Sequence, residues 1–419
     1  MQLKTILNRV QKHPLFVYGA IELVELDDQL TLEVQVRPRA NGQPTCSRCG
    51  FRRPGYDTLS PPRRFQFVPL WGILVFFVYS MRRVDCPGCG VVVEAVPWAT
   101  GKQQLTSTYA WFLAGWAKKL SWTEVATSFH TSWDTVYRAV RTAVDWGLEH
   151  RDLSAVRAIG IDEVLWKRGY GFLTVVYQID KGTRRLLWVG ENRRVKTLLK
   201  FFRNFGDERS AQLRFICSDM WKPYLVVIAR KAPGATHVLD RFHIASTMNK
   251  AINDVRVQEV NSLKMDGYEP ILKGMRYCLL KRADNLSEGQ EIKLAELLRY
   301  NLKSVRAYLL KEDFDAFWNY VSPAWAGKFL DRWCTRAMRS RLDPMKKVAR
   351  MLRRHRELLL NWFAARDAIS AGATEGNNNK LKVITRRAYG FKAFKVLETA
   401  LFHTMGDLPR PKATHRFCR

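Results

Sequence analysis

No stretch of this 419-residue chain offers the ~20 consecutive apolar residues that a membrane-crossing helix needs. The most apolar run, Phe65 to Tyr79, is broken by Pro69 and Gly72 and reads as strand, turn, strand. The N-terminal Met-Gln-Leu-Lys lacks the apolar core of a secretory signal. Acidic residues are scarce: 39 Asp and Glu stand against 69 Lys and Arg. The resulting net charge of +30 predicts a polyanionic partner, nucleic acid ahead of a membrane surface, bound with strong salt dependence. Cysteine is too sparse and uneven, at eight residues, for a disulfide-stapled secreted domain. A reducing compartment is expected, the cytoplasm with its nucleoid. No repeat of 20–50 residues and no low-complexity tract is visible. What remains is 47% hydrophobic and 12% aromatic, enough for two to four folded cores.

Residues 1 to about 100 read as β-rich. Phe16 to Val36 alternates apolar and polar residues around Asp27-Asp28, the pattern of a hairpin. Helical periodicity takes over from 105 to 149. Three strand-like runs follow, Val156–Val164, Gly171–Ile179 and Arg185–Val189, with connections short enough for antiparallel pairing. Val195–Phe205 reads as a helix, Leu213–Ser218 as a strand, Tyr224–Lys231 as a helix and Ala235–Leu239 as a fifth strand. From Ile244 to about Asp367 all signals are helical, and 381–404 reads as a last helical segment.

Two C-x-x-C-G knuckles, Cys46-Ser-Arg-Cys49-Gly50 and Cys86-Pro-Gly-Cys89-Gly90, carry the first chemistry. Two residues between thiolates let one turn present both sulfurs to a single ion, and two such turns make the four-thiolate site that structural zinc prefers. The intervening segment fits a hairpin, Phe65 to Tyr79, inserted between the knuckles. Farther on, Ser121-Trp-Thr-Glu124 is a capping box opening a short helix. Ser132 caps a second helix, Trp133 to Trp146, after the turn His130-Thr131. Val125, Ala126, Val136 and Val140 supply the contacts between them. This is the layout of a helix-turn-helix, with Asp134, Thr135, Arg138 and Arg141 outward and Arg138 and Arg141 placed to contact DNA.

Three acids stand out in so basic a chain. Asp162 lies on the first strand of the mixed sheet, Asp219 just past the fourth, and Glu375 opens a Gly/Asn turn before a basic helix. In a ribonuclease-H-like sheet the first and fourth strands are neighbours, so Asp162 and Asp219 would project from one edge. Shared carboxylates of this kind hold two Mg²⁺ or Mn²⁺ ions, which activate a water or 3′-hydroxyl and stabilise the leaving oxygen of a phosphodiester. Asp240 also ends a strand, and with His243 it is read as a supporting pair. Glu163 points to the other face of its strand and is not expected among the ligands. Between Lys328 and Arg366 twelve basic residues face three acidic ones, with Lys346, Lys347, Arg350, Arg353 and Arg354 in the densest run. That face, with Lys380, Arg386 and Arg387, is read as DNA-contacting.

Gly160-Ile-Asp162-Glu163, Ser218-Asp219-Met-Trp-Lys-Pro-Tyr224, Leu239-Asp240-Arg-Phe-His243 and Glu375-Gly-Asn-Asn-Asn-Lys380 followed by Arg386-Arg387-Ala-Tyr-Gly-Phe391 resemble the DDE transposases of bacterial insertion sequences, specifically the ISL-three group. The resemblance runs in the same order from about residue 40 to about 405, and one of Asn377-Asn378-Asn379 departs slightly from the group's pattern without evident consequence for chemistry. It implies that Asp162, Asp219 and Glu375 are the catalytic triad, that the chain binds terminal inverted repeats, and that it transfers strands at the element's ends. The expected architecture is an α/β ribonuclease-H-like core carrying an all-α insertion, preceded by a β-rich zinc module and a helix-turn-helix. Its expected parts are a zinc module at 1–100, the helix-turn-helix at 101–152, a first core segment at 153–243, a basic helical insertion at 244–367 and the core's end with Glu375 at 368–419. Joining two element ends implies a homodimer or higher oligomer on double-stranded DNA. The competing reading is a non-catalytic DNA-binding regulator descended from such an enzyme. No RNA-binding module is visible.

Overall fold

The computed structural model describes residues 2–26, 29–167, 171–268, 271–281, 283–369, 373–387 and 390–411, without the side chains of 283 and 373–375. Asp27-Asp28, Ala388-Tyr389 and Cys418 lie outside these residues. Packing divides the chain into two compact units: residues up to Asp152 together with those from Ile384 onward, and Leu153–Val383.

The first unit starts with α1 (Leu3–Val10), β1 (Phe16–Leu26) and β2 (Gln29–Pro38), then β3 (Gly55–Thr58), β4 (Arg63–Leu70), β5 (Ile73–Tyr79), β6 (Arg82–Cys86) and β7 (Gly90–Val93). The helices α2 (Ser107–Trp116), α3 (Trp122–Ser128) and α4 (Trp133–His150) follow. The strands form two sheets. One is four-stranded in the order β1-β2-β5-β4, and the other is three-stranded in the order β3-β6-β7. The hairpin expected between the cysteine knuckles forms as β4–β5, with Leu70 opposite Ile73, and it joins a larger sheet. β5 pairs parallel to β2, Leu32 opposite Val75 and Val34 opposite Phe77, and so extends the N-terminal hairpin's sheet. The reason is burial. Phe65, Phe77 and Tyr79 close over Trp98 with Phe16 and Tyr18, and Trp98 is 1% exposed at the centre of five ring contacts. An aromatic group of that area supplies the burial that a two-stranded hairpin alone lacks.

The second unit begins with β8 (Ala158–Lys167), β9 (Gly171–Gln178) and β10 (Arg185–Glu191), then α5 (Val195–Phe205), α6 (Asp207–Ala211), β11 (Phe215–Ser218), α7 (Lys222–Lys231) and β12 (Thr236–Leu239). Strand order is β10-β9-β8-β11-β12, with the β8–β9–β10 pairings antiparallel and β11 parallel to both β8 and β12. Alternation on β8 buries Ile159 and Ile161 against Phe201, Phe202, Tyr224 and Val227 of α5 and α7. Full burial of such side chains is worth roughly 1.5–3 kcal/mol each, which pins the register of β8 and so decides which face receives residue 162.

From α8 (Arg241–Met265) the chain is helical: α9 (Arg276–Leu280), α10 (Glu288–Leu297), α11 (Lys303–Asp315), α12 (Pro323–Arg339), α13 (Asp343–Arg354), α14 (Arg356–Leu360) and α15 (Trp362–Ala365). Phe314, Phe317, Trp318 and Trp333 form its aromatic core, and the indole of Trp333 donates to the Leu310 carbonyl at 2.8 Å. The last segment is two helices, α16 (Ala373–Arg387) and α17 (Phe394–Met405), rather than one. The break falls at Gly390, whose φ of +91° suits glycine and whose N–H closes onto the Thr385 carbonyl at 2.9 Å. Glu375-Gly-Asn-Asn-Asn lies within α16, not in a turn. Gly and Asn favour turns in isolation, and the bonds made by Asn378 override that preference. No helix among the described residues is long and apolar enough to cross a membrane.

Candidate functional site

Asp162 sits on the face of β8 opposite the α5–α7 core and is 6% exposed. The parallel register of Phe215, Ile216 and Cys217 opposite Ala158, Ile159 and Gly160 brings the end of β11 level with Asp162, so Asp219 follows directly at that edge. β12 lies beside β11 and delivers Asp240, which N-caps α8 by accepting from the Phe242 N–H at 2.9 Å. One turn into α8, His243 places Nε2 at 3.3 Å from Asp162 Oδ1. A ligand atom from each of Asp162, Asp240 and His243 lies within 4.8 Å of the others.

Asp219 is tied differently. Its Oδ2 pairs with an Arg193 Nη at 3.0 Å and its Oδ1 accepts from the Trp221 N–H at 2.9 Å. Arg193 also sets Nε 3.0 Å from Glu163 Oε1 and lies over the Trp221 ring. Glu163 does leave β8 on the face opposite Asp162, yet it shares Arg193 with Asp219, a link that alternation alone does not reveal. Burial, then repulsion from Asp219, pushes the Glu163 carboxyl up to about 8 against the pull of Arg193. The hydrogen bond to Asp162 carries His243 up to about 9 against burial, helped by the charges of Asp162, Asp240 and Asp219. At neutral pH His243 is therefore a cation, and its Nε2 donates to Asp162. Two basic side chains, His243 and Arg193, thus stand among four carboxyl groups, Asp162, Glu163, Asp219 and Asp240.

Position 375 lies in α16, but the Glu375 side chain is outside the described residues. One turn later Asn378 donates to Asp162 Oδ2. Its own Oδ1 accepts from the Tyr177 hydroxyl at 3.1 Å. Asn378, Tyr177 and Arg193 were absent from the sequence-based set. Two are neutral, and the third follows a strand whose acidic partners are distant in sequence.

The four cysteines also converge. Their Sγ atoms lie within 4.8 Å of one another, and Cys49 and Cys86 are 3.6 Å apart. A tetrahedral site with metal–sulfur bonds near 2.3 Å separates its sulfurs by about 3.8 Å, so the quartet already has the size of a zinc site. Gly50 (φ +74°) and Gly90 (φ +72°) turn each knuckle. The Cys49 N–H, with burial opposing, holds the Cys46 thiol down at about 6. Beneath the knuckles Glu94 is 3% exposed and accepts from the Tyr79 hydroxyl at 2.6 Å and from the Arg82 guanidinium at 2.8 Å, locking the small sheet to the large one.

In α3 and α4 the capping box forms in full: the Ser121 N–H reaches Glu124 at 2.6 Å, and Ser121 Oγ accepts from the Glu124 N–H at 3.2 Å. Ser132 Oγ caps α4 through the Thr135 N–H at 3.1 Å, and Val125, Ala126, Val136 and Val140 are buried. Arg138 and Arg141 are exposed, each in an i,i+4 ion pair, with Asp134 and Asp145. Thr135 is partly exposed, its hydroxyl 2.9 Å from the Ser132 hydroxyl. On α13, Lys347, Arg350, Arg353 and Arg354 are exposed while Met345, Val348, Ala349 and Leu352 face the core; Lys346 is half-buried and pairs with Asp343 at 3.0 Å. Lys380, Arg386 and Arg387 are exposed on α16, and Arg387 donates to the Lys119 carbonyl.

Residues 159–401, more than half the chain, match the model of a transposase family, ISL3. The chain belongs to this family of transposases. It is 32% identical to the transposase for insertion sequence element IS1557 of Mycobacterium tuberculosis over 422 aligned positions, 94% of each chain. It is 29% identical to the transposase for insertion sequence element IS1001 of Bordetella parapertussis over 381, 90% of this chain and 92% of that one. The matched span of this transposase starts inside β8 and ends inside α17, so it holds Asp162, Asp219, Asp240, His243, Asn378 and position 375. The cysteine quartet and the α3–α4 pair precede that span.

Proposed function

We propose that this transposase binds the terminal inverted repeats of its element and uses a carboxylate-held pair of Mg²⁺ or Mn²⁺ ions to cut and rejoin DNA. The observation that carries the reading is the convergence of Asp162, Asp240 and His243, with Asp219 at the same edge of the sheet. The strand order, three antiparallel strands followed by two parallel ones beside β8, supports a ribonuclease-H-like core at 153–243. The helical residues 244–367 are then an insertion; of the segment expected to end the core at 368–419, the part up to Val383 packs with this unit, while residues from Ile384 onward pack with the N-terminal unit.

In this reading Asp162, Asp219 and Glu375 hold the ions, and Asp240 and His243 support them. Oxygen donors of this kind suit hard divalent ions. Bound there, the ions would polarise an attacking water or 3′-hydroxyl and neutralise charge on the leaving oxygen. His243 bonds one oxygen of Asp162, and Arg193 bonds one oxygen of Asp219, so both side chains are oriented before any ion arrives. The cysteine quartet holds a structural zinc ion, since all four positions are protein ligands. Arg138 and Arg141 of α4, with Lys346, Lys347, Arg350, Arg353, Arg354, Lys380, Arg386 and Arg387, contact double-stranded DNA, and two chains bring two ends together.

A Mg²⁺-dependent nicking assay on inverted-repeat DNA tests this. Asp162→Asn should lose nicking entirely while binding the same DNA as the parent does. Undiminished nicking by the variant removes Asp162 from the chemistry. Binding without nicking by the parent chain favours the regulator instead.

A further inference from the structure

Among the described residues, the Asp162 carboxylate accepts three hydrogen bonds. Oδ1 takes the Glu163 N–H at 2.7 Å and faces His243 at 3.3 Å, and Oδ2 takes the Asn378 amide. These donors are not equivalent. His243 approaches Oδ1 from α8, while the Asn378 amide is the donor that reaches Oδ2 and has no charge of its own. A carboxylate has about four lone-pair sites, so three donors leave a restricted direction for an incoming ion.

Asn378 is itself oriented. Its Oδ1 accepts from the Tyr177 hydroxyl, which leaves Nδ2 as the group aimed at Asp162. Tyr177 is 0% exposed, next to β8 on β9 in register with Gly160, so its hydroxyl has a fixed position. The chain Tyr177–Asn378–Asp162 crosses from β9 to α16 to β8 and joins residues up to 216 apart in sequence. It also anchors α16 three residues, about one turn, after position 375. Gly376-Asn377-Asn378-Asn379 are weak helix formers, so this contact rather than intrinsic propensity supports the first turns of α16.

We propose that Asn378, held by Tyr177, is a positioning residue that sets the Asp162 carboxylate for divalent metal binding. The proposal rests on Asp162 being a metal ligand. Outer partners of metal ligands commonly contribute 10–100-fold in metal affinity.

The test measures Mn²⁺ affinity of the full-length chain without DNA, by electron paramagnetic resonance, for the parent, Asn378→Leu, Tyr177→Phe, the double variant and Asp162→Asn. Thermal unfolding and inverted-repeat binding report folding. Asn378→Leu keeps the shape of the side chain without its amide and should weaken Mn²⁺ about 10–100-fold. Tyr177→Phe should weaken it less. Adding Tyr177→Phe to Asn378→Leu should change nothing further, because the hydroxyl acts through the amide. A purely structural role would lower the unfolding temperature of Asn378→Leu and leave its Mn²⁺ affinity unchanged, and that result overturns the proposal. Additive losses overturn the role given to Tyr177. If Asp162→Asn keeps full Mn²⁺ affinity, the reading of Asp162 as a ligand fails and the proposal falls with it. If Asp162→Asn loses affinity and Asn378→Leu does not, only the positioning role is wrong.

Discussion

The cysteine quartet and the acidic cluster are both gatherings of side chains of the kind that hold metal ions, yet they are assembled by opposite routes. The quartet needs two tight turns on one three-stranded sheet, and each turn brings two sulfurs together by local geometry alone. The acidic cluster takes Asp162 from mid-strand, Asp219 and Asp240 from the ends of two later strands, His243 from a helix and Asn378 from another helix far along the chain. The quartet's thiols are met by backbone N–H groups of their own turns, those of Arg48 and Cys49 on Cys46 and of Gly88 and Cys89 on Cys86. The acidic cluster carries its own counter-charges, His243 on Asp162 and Arg193 on Asp219. The quartet is assembled by turns local in sequence, the acidic cluster by strands and helices packed together from distant parts of the chain.

The largest effect expected from this contrast is at the quartet. Structural zinc contributes on the order of 10–16 kcal/mol of binding energy to small modules. Cys46→Ser should therefore abolish hydrogen-exchange protection across β3, β6 and β7 while β8 to β12 keep theirs. Retained protection in β6 would mean that the Glu94–Arg82–Tyr79 network holds the small sheet without metal, and the contrast would fail.

A smaller effect separates a structural carboxylate from a metal-binding one within the second unit. Glu259 is buried on α8 and accepts from the Lys303 N–H at 2.6 Å, the Ser304 N–H at 2.8 Å and the Ser304 hydroxyl at 2.6 Å, satisfying the start of α11. Glu259→Ala removes charge-assisted bonds at a helix N-terminus and should cost about 3 kcal/mol in urea unfolding. Mn²⁺ affinity should not move. A parallel loss of Mn²⁺ affinity would show that burial, not position, makes these carboxylates metal-binding.

The smallest effect on stability belongs to α4. The Arg138–Asp134 pair is exposed on both sides, so breaking it costs about 0.5 kcal/mol or less. Arg138→Ala should leave the unfolding midpoint nearly fixed while weakening inverted-repeat binding by about 1–3 kcal/mol, if its guanidinium reads a base. Equal loss on unrelated duplexes, with the salt slope reduced by about one, would assign it to a phosphate instead.

Much of the mixed sheet was legible because its signals are short-range. The helix expected at Val195–Phe205 forms over those residues, and the strand expected at Gly171–Ile179 forms over Gly171–Gln178. The capping box at Ser121 and Glu124 was readable as spacing alone, and so was the convergence of Cys46, Cys49, Cys86 and Cys89. Other features had no local sign. The sheet partner of the 65–79 hairpin was decided by aromatic burial around Trp98. The Gly-Asn-Asn-Asn run looked like a turn because its propensities are those of a turn, and tertiary hydrogen bonds made it a helix. Tyr177 carries no charge and no motif, and Asn378, though part of a quoted motif, carries no charge, so neither was marked for a role until the fold set Asn378 on Asp162 and Tyr177 on Asn378.

By itself, then, the amino-acid order settled what nearest neighbours along the chain can settle: periodicity, turns, caps, the paired thiols and the acids that end strands. Only the three-dimensional packing chose which face of β8 Asp162 occupies, gave Asp219 to Arg193 and Asp162 to His243, and set an amide from residue 378 against a carboxylate at 162. The reason is physical. Local preferences are worth tenths of a kcal/mol per residue and act over a few positions, whereas buried apolar area and low-dielectric hydrogen bonds act between any two positions that the folded chain brings together.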